Sequence, residues 1–379
     1  MLSSIDILEV ISPRDLRAFV TFPWQVYKGD RNWVPPLISE RLDYLNPAEN
    51  PFFQHAEVAL FLARRDHRVV GTIAAFVDRS VIQQQGKPIG GFGFFEVIDD
   101  FAVATQLLNT AREWVKGRGM VLLQGPTSFG ANDTPGVLIE GADCPPAMLE
   151  AHTPPYYQTF LERYGMEKYD DLFAWRATRE QIGADMSNVP PDLLNVAEAA
   201  RRRGTVTIRS ARPETWNADV TTACRLFNAT LEHLPVYVPM AEPEFRRMAD
   251  QLRFLTDLDL VLFAEVDNQP VGFAVCLPDI NQILIHLNGR LLPLGWLKLW
   301  WYKRRIKAVS FKLMGILEEY RRRGIDALLY TAMIKAVFAK GYEWLDGSLT
   351  SEFNPMINLI ASRLGAVRYK HYRVYQMAV

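Results

Sequence analysis

The stretch Leu313-Met314-Gly315-Ile316-Leu317-Glu318-Glu319-Tyr320-Arg321-Arg322-Arg323-Gly324-Ile325-Asp326-Ala327-Leu328-Leu329-Tyr330 decides the reading of this chain. An apolar strand runs into a short turn with three arginines and one glycine, and an apolar-periodic helix follows at once. A helix start is the positive end of a dipole and leaves its first N–H groups without intrahelical partners. With three guanidinium groups beside it, that layout aims donors and positive charge at one small volume, suited to a pyrophosphate. The apolar strand lies next to this volume. The expected ligand is therefore long, with an anionic end and an uncharged reactive end.

Working outward, strands and helices alternate. Before the stretch, strands at 260–266 and 271–277 form a hairpin around Asp267-Asn268-Gln269-Pro270. The stretch itself gives a strand at 308–317 and a helix at 324–340. After it come a strand at 342–348, a helix at 355–364 and a last strand at 367–377. A strand at 206–210 and helices at 217–233 and 243–255 open this half. The other half reads as a strand at 5–11, a helix at 13–29, strands at 58–64, 69–77 and 91–97, and a helix at 103–116. A short strand at 120–124, a Gly/Pro-rich loop at 125–155, a helix at 156–164 and a strand at 172–178 complete it. The halves share length and element order, the pattern that duplication leaves. The fold class is α/β, in mixed α+β layers: two tandem domains, each a twisted mixed sheet flanked by helices. The expected boundaries are 1–182 for the first domain, 183–191 for a linker and 192–379 for the second.

Composition agrees with two folded domains. The 379 residues exceed one compact core, and 49% hydrophobic with 22% charged residues is a globular balance. A net charge of −1 argues against a nucleic-acid partner. Cys144, Cys224 and Cys276 are odd in number and far apart, which predicts no disulfide framework, no zinc cluster and a cytoplasmic location. The six histidines lack metal-ligand spacing, so no metal is expected, and His233 and His286 read as packed or solvated. The start lacks the charge and apolar run of a signal peptide, and no run approaches a membrane span.

The turn Arg321-Arg322-Arg323-Gly324-Ile325-Asp326 resembles the phosphate motif of the GNAT acyltransferase superfamily. That motif has Arg or Gln, two residues, Gly, one residue, then Gly or Ala. Strand, helix, strand, asparagine-led helix and terminal strand follow in the family's order, so the resemblance covers roughly 205–379 closely. It covers 5–178 more loosely. There, Glu96-Val97-Ile98-Asp99-Asp100 stands where the arginine turn is expected, and its carboxylates would repel a pyrophosphate. The resemblance implies one cofactor site, in the second domain. The co-substrate would be acetyl-CoA or a longer acyl-CoA, with backbone groups of Gly315, Ile316 and Leu317 along the thioester arm. Arg321, Arg322, Arg323, Gly324, Ile325, Asp326 and Ala327 would cradle its phosphates. Two positions depart from the family. Asp326 brings a carboxylate to the anion site unless a neighbouring arginine pairs with it, although it also suits a first helical turn. The family's frequent acid tyrosine falls on Ala361.

Acyl transfer to an amine needs a held thioester, a polarised carbonyl and a proton acceptor. Candidate catalytic residues are Asp346, Ser348, Glu352 and Asn354. Asp346 and Ser348 fall on one side of a strand, and Glu352 and Asn354 lie in the loop beyond. Asn354 before Pro355 also suits a helix start. The segment 125–136 reads either as a wall of the acceptor pocket between the domains or as a tight structural loop.

A last feature is Trp296-Leu297-Lys298-Leu299-Trp300-Trp301-Tyr302-Lys303-Arg304-Arg305, within 290–307. From Arg290 to Leu317 there are seven cations and no acid. Such a segment reads either as a membrane-surface contact or as a helix packed between domains. The expected function is an acyl-CoA-dependent N-acyltransferase acting on an amine, with a long-chain or lipid amine favoured by this segment. Its expected place is the cytoplasm, peripheral on the inner face of the membrane if the segment makes that contact. Small-amine acetylation, a non-catalytic acyl-CoA or lipid binding module, and aminoacyl transfer from a charged tRNA are the alternatives.

Overall fold

The computed structural model describes residues 4–129, 134–183, 185–232, 239–292 and 295–379. Two compact units emerge. Unit 1 gathers Met1–Leu172, Ile283–Trp300 and Lys370–Val379, and unit 2 gathers Phe173–Gln282 and Trp301–Tyr369.

Unit 1 begins with the strands β1 (Asp6–Glu9), β2 (Ala56–Arg65), β3 (Arg68–Asp78) and β4 (Ile89–Val97). They pair antiparallel in that order. The next strand, β5 (Leu122–Gly125), is parallel to β4, and β6 (Val137–Glu140) follows. A parallel neighbour needs a crossover, here the helix Phe101–Lys116. Asp100 starts that helix by accepting a hydrogen bond from the Ala102 amide. Val103, Leu107, Ala111 and Val115 recur at helical spacing and are fully buried. Burying one Val or Leu in this way contributes about 1.5–3 kcal/mol.

The strand β7 (Glu167–Thr178) leaves unit 1 after Leu172 and enters unit 2. Unit 2 repeats the plan. Its strands β8 (Thr207–Ser210), β9 (Val261–Val266), β10 (Gln269–Pro278) and β11 (Ala308–Ile316) pair antiparallel in sequence. The parallel neighbour of β11 is β12 (Trp344–Ser351), reached through the helix Ile325–Ala339. The two central hairpins turn alike. Asp66 and His67 have φ of 49° and 63°, and Asp267 and Asn268 have 50° and 61°. Both central residues at positive φ make the tight turn that matches strand twist, which Asx residues tolerate.

Several sequence expectations are corrected. The last strand, β13 (Val367–Ala378), was assigned whole to the second half, yet Lys370–Val379 belongs to unit 1. There Tyr375 pairs with Gly125 of β5, and Tyr372 with Leu138 of β6. Likewise Phe173–Thr178 of β7 belongs to unit 2. The expected helix at 13–29 is shorter, Pro13–Thr21, with a separate turn at Pro23–Val26, because Pro23 interrupts the backbone ladder. Pro191, read as the end of a linker, is the first residue of the helix Pro191–Arg202. Its Ala197 and Ala200 pack against Ala327 and Leu328. His233 and part of the 125–155 segment lie outside the described residues.

Candidate active site

In unit 2 the parallel strands β11 and β12 part. Their register runs from Ala308 opposite Trp344 to Phe311 opposite Gly347, while β11 continues against β10 as far as Ile316. At the fork β11 bulges: Phe311 faces Cys276 and Leu313 faces Val275, which leaves Lys312 as the extra residue. A bulge re-aims a side chain. Lys312 Nζ donates to Ser348 Oγ at 2.7 Å and lies 3.5 Å from Asp346 Oδ2.

Asp346 and Ser348 do share one side of β12, as their spacing requires. Ser348 Oγ donates to Asp346 Oδ2 at 2.5 Å, Ser310 Oγ donates to the same oxygen, and Tyr369 donates to Oδ1 at 3.1 Å. Asp346 and Ser310 have no exposed surface, and Ser348 is buried. Asp346 is thus enclosed by three hydroxyls and one ammonium, so the group at the fork itself is the Lys312–Ser348 pair. Burial and the Asp346 charge raise the neighbouring Asp279 carboxyl to about 6. The same two causes push the Cys276 thiol well above its ordinary range.

The arginine turn lies at the far end of β11. Arg321 does not face outward: its Nε donates to the Ile316 carbonyl at 3.2 Å, and its Nη2 to the Thr230 carbonyl at 3.0 Å. It ties the turn to the end of the helix Trp216–Leu231. Arg322, at φ 61°, and Arg323 are exposed, and the Arg323 guanidinium sits 4.9 Å from the Tyr320 ring centroid. Gly324 is buried at φ 79°, and a Cβ there would come within 3.0–3.2 Å of Val196 and Ala200. Glycine is required on both counts. The Arg321 amide bonds to the Glu318 carbonyl, and the next bonded amide is that of Leu328, to Gly324. Among the described residues, the amides of 322–327, which include Ile325 and Ala327, have no partner. Asp326 is exposed in the first helical turn and has no ion-pair partner among the described residues. A second open valence lies along β11. A Cβ on Gly315 would fall 1.9 Å from Thr230 Oγ1, and that hydroxyl is buried without a partner. Unspent amides, two exposed guanidinium groups and an orphan hydroxyl fit a long anionic ligand.

The remaining candidates lie further out. Glu352 is partly exposed in the loop after β12. Asn354 occupies the N-cap of the helix Pro355–Arg363, but its side chain makes no capping bond. The residue that holds this loop is Asn358, which sequence reasoning missed. Its Nδ2 donates to the Ser351 carbonyl at 2.9 Å, and its Oδ1 accepts from Thr350 at 2.6 Å and from Trp175 Nε1 at 3.0 Å. Lys312 was also missed. Its signal was the polar alternation Ser310-x-Lys312 in an otherwise apolar strand. Among the described residues no group of side chains suits a metal ion.

The geometry is that of the GNAT fold. A tandem GNAT protein from the clavulanic acid biosynthesis pathway superposes with a TM-score of 0.58, covering 99% of this chain and 98% of that one at 12% identity. Fold and relatives together define the class: a tandem-domain acyltransferase. The chain belongs to the same family as the bacterial ceramide synthase of Caulobacter vibrioides, with 33% identity over 100% of this chain and 98% of that protein. Protein YghO of Escherichia coli is 34% identical over 97% of this chain and 94% of its own length. No family model matches.

Proposed function

We propose that unit 2 takes an acyl-CoA and passes its acyl group to an amine, and that the acyl chain is long and the amine a lipid. The observation that carries this reading is the fork between β11 and β12, which leads from the Lys312–Ser348 pair to the unbonded amides of 322–327. Arg322, Arg323 and those amides would hold the phosphates, and Gly315 to Leu317 the arm. The thioester supplies an activated carbonyl and a thiolate leaving group. As the amine nitrogen attacks, the N–C bond forms, the C–S bond breaks, the ammonium proton leaves and the thiolate gains a proton. Lys312 has three N–H donors: Ser348 takes one and Asp346 attracts a second at longer range. The third is open to the charge that develops at the reacting carbonyl or sulfur. Ser348 bridges Lys312 to Asp346 and so links the fork to a buried proton acceptor. This supplies a polar group where Ala361 replaces the family's tyrosine.

Family membership supports the lipid acceptor, and so does the helix Gly295–Lys303. Trp296 and Trp300 are both 56% exposed and Trp301 52%, beside Lys298, Lys303, Arg304 and Arg305. That exposure suits an anionic bilayer surface, where each cation contributes about 1 kcal/mol. Among the described residues no helix is long and apolar enough to cross a membrane.

The test is calorimetric titration with CoA, acetyl-CoA and palmitoyl-CoA, followed by product mass on a panel of amines. Palmitoyl-CoA should bind tightest and yield an amide. R322A/R323A should weaken all three ligands about tenfold or more with the melting temperature unchanged. Thioester binding unaffected by those changes would reject this placement, and binding without any amide product would make the protein a carrier.

A further inference from the structure

Unit 2 holds a cavity that neither the fork nor the transfer step uses. Its volume is about 380 Å³, within the roughly 300–1,000 Å³ of small-molecule sites. It lies where three elements come together: the end of the helix Pro191–Arg202, the turn between β9 and β10, and the arginine turn. Ala200, Val206 and Val266 give it apolar walls, and Arg203, Asp267 and Arg323 add charge. The cavity adjoins the phosphate turn. A Cβ on Gly324 would sit 3.1 Å from Cβ of Ala200, and Arg323 belongs to both.

The charged residues of this cavity are unspent. Arg201 and Arg202, just before it, both pair with Glu198. Arg203 forms no ion pair among the described residues, and neither do Asp267 and Arg323. A cation at the end of a helix complements the negative end of its dipole. Arg201 and Arg202 already fill that role in the last turn. It would not bring a second arginine and an unpaired carboxylate to the same space. Asp267 suits its turn, at φ 50°, but a turn role leaves its carboxylate free.

Two cations, one acid and apolar walls describe a ligand with a phosphate, a planar ring and a donor. A guanidinium matches phosphate geometry and stacks on flat π faces. An ionised carboxylate only accepts, so it needs an N–H or O–H of the ligand. We propose that this cavity receives the nucleotide end of the thioester, with the 3′-phosphate on Arg203 and Arg323, the base against the apolar walls and its exocyclic amine donating to Asp267. The diphosphate stays on the amides of 322–327, one ribose away. This deepens the proposed function by assigning the far end of the co-substrate to residues outside the arginine–glycine turn, and it rests on that reading for the identity of the ligand.

The experiment is calorimetric titration of the full chain with CoA, 3′-dephospho-CoA, adenosine 3′,5′-bisphosphate and etheno-CoA, whose exocyclic amine is blocked. CoA should bind about tenfold more tightly than 3′-dephospho-CoA or etheno-CoA, and the bisphosphate should bind alone and compete with palmitoyl-CoA. R203A should weaken CoA to the level of 3′-dephospho-CoA and leave 3′-dephospho-CoA unchanged. D267G, whose glycine tolerates the positive φ, should lose the preference for CoA over etheno-CoA and keep the preference over 3′-dephospho-CoA. These differences are read between ligands on one protein, so a general loss of stability in a variant does not mimic them. Equal affinity of the wild type for CoA and 3′-dephospho-CoA, an R203A that weakens both alike, or bisphosphate binding that ignores palmitoyl-CoA would overturn the proposal. Amide product from palmitoyl-CoA without these ligand preferences would reject the cavity and keep the proposed function. The preferences without any amide product would keep the cavity and reject the transfer.

Discussion

Asp346 is buried and the Lys312 side chain is only 9% exposed, so each compensates the other's charge. Removing one partner of such a pair leaves the other uncompensated, at a cost of about 3–5 kcal/mol. K312M should therefore lower the urea midpoint sharply and reduce kcat. In K312M/D346N the midpoint should recover while turnover stays low, because the donor at the fork is still missing. Recovery of turnover in the double variant would remove Lys312 from the chemistry. Glu96 of β4, which accepts hydrogen bonds from Tyr157 and Tyr27, makes a separate prediction. Its folded value, about 7, is raised above the ordinary 4.5, first by burial. A raised carboxyl contributes stability that is complete below its unfolded value and is lost as pH rises through the folded one. Wild type should therefore lose up to about 3 kcal/mol relative to E96Q between pH 4.5 and 8. Urea unfolding of both proteins at each pH measures this, and parallel pH profiles would refute it. The sequence showed Asp346 and Ser348 on one face because strand alternation is local. It did not show Lys312 as their partner, because that contact depends on a bulge and on register with a residue 36 positions away.

At the scale of elements, the arginine turn formed where the sequence placed it, but its arginines divide their work. Arg321 faces inward to fasten the turn to the Thr230 carbonyl, leaving Arg322 and Arg323 exposed. Sequence spacing gives the turn and not the division, since the Thr230 carbonyl is 91 residues away. The helix Gly295–Lys303 makes the second case. Its composition leaves both a packed and a lipid-facing role open, and its near neighbours in sequence do not choose between them. W296S/W300S should reduce flotation with vesicles containing phosphatidylglycerol by about tenfold and leave palmitoyl-CoA binding intact. Salt should weaken the remaining association, since it screens the cations. Flotation unchanged by the substitutions would assign the exposed tryptophans another role.

At the scale of the whole molecule, the chain's last ten residues belong to unit 1. Lys370, Tyr372 and Tyr375 are buried there, and Lys370 Nζ donates to the carbonyls of Gly141 and Cys144. Ending the chain at Tyr369 should abolish hydrogen-exchange protection in β5 and β6 while β9 to β11 keep theirs. Unchanged protection in β5 would show that the strand is dispensable. The main strands, the hairpin turns, the crossover helices and the arginine–glycine turn were legible from the sequence, because hydrophobic period, turn chemistry and helix starts are set by near neighbours, whereas the strand β6 inside the expected loop at 125–155 was not. The exchange of closing strands, the Lys312–Ser348–Asp346 contact, and the cavity shared by Arg203, Asp267 and Arg323 were decided only by tertiary structure. Each depends on which distant backbone edges and side chains meet, and no local pattern of residues encodes that choice.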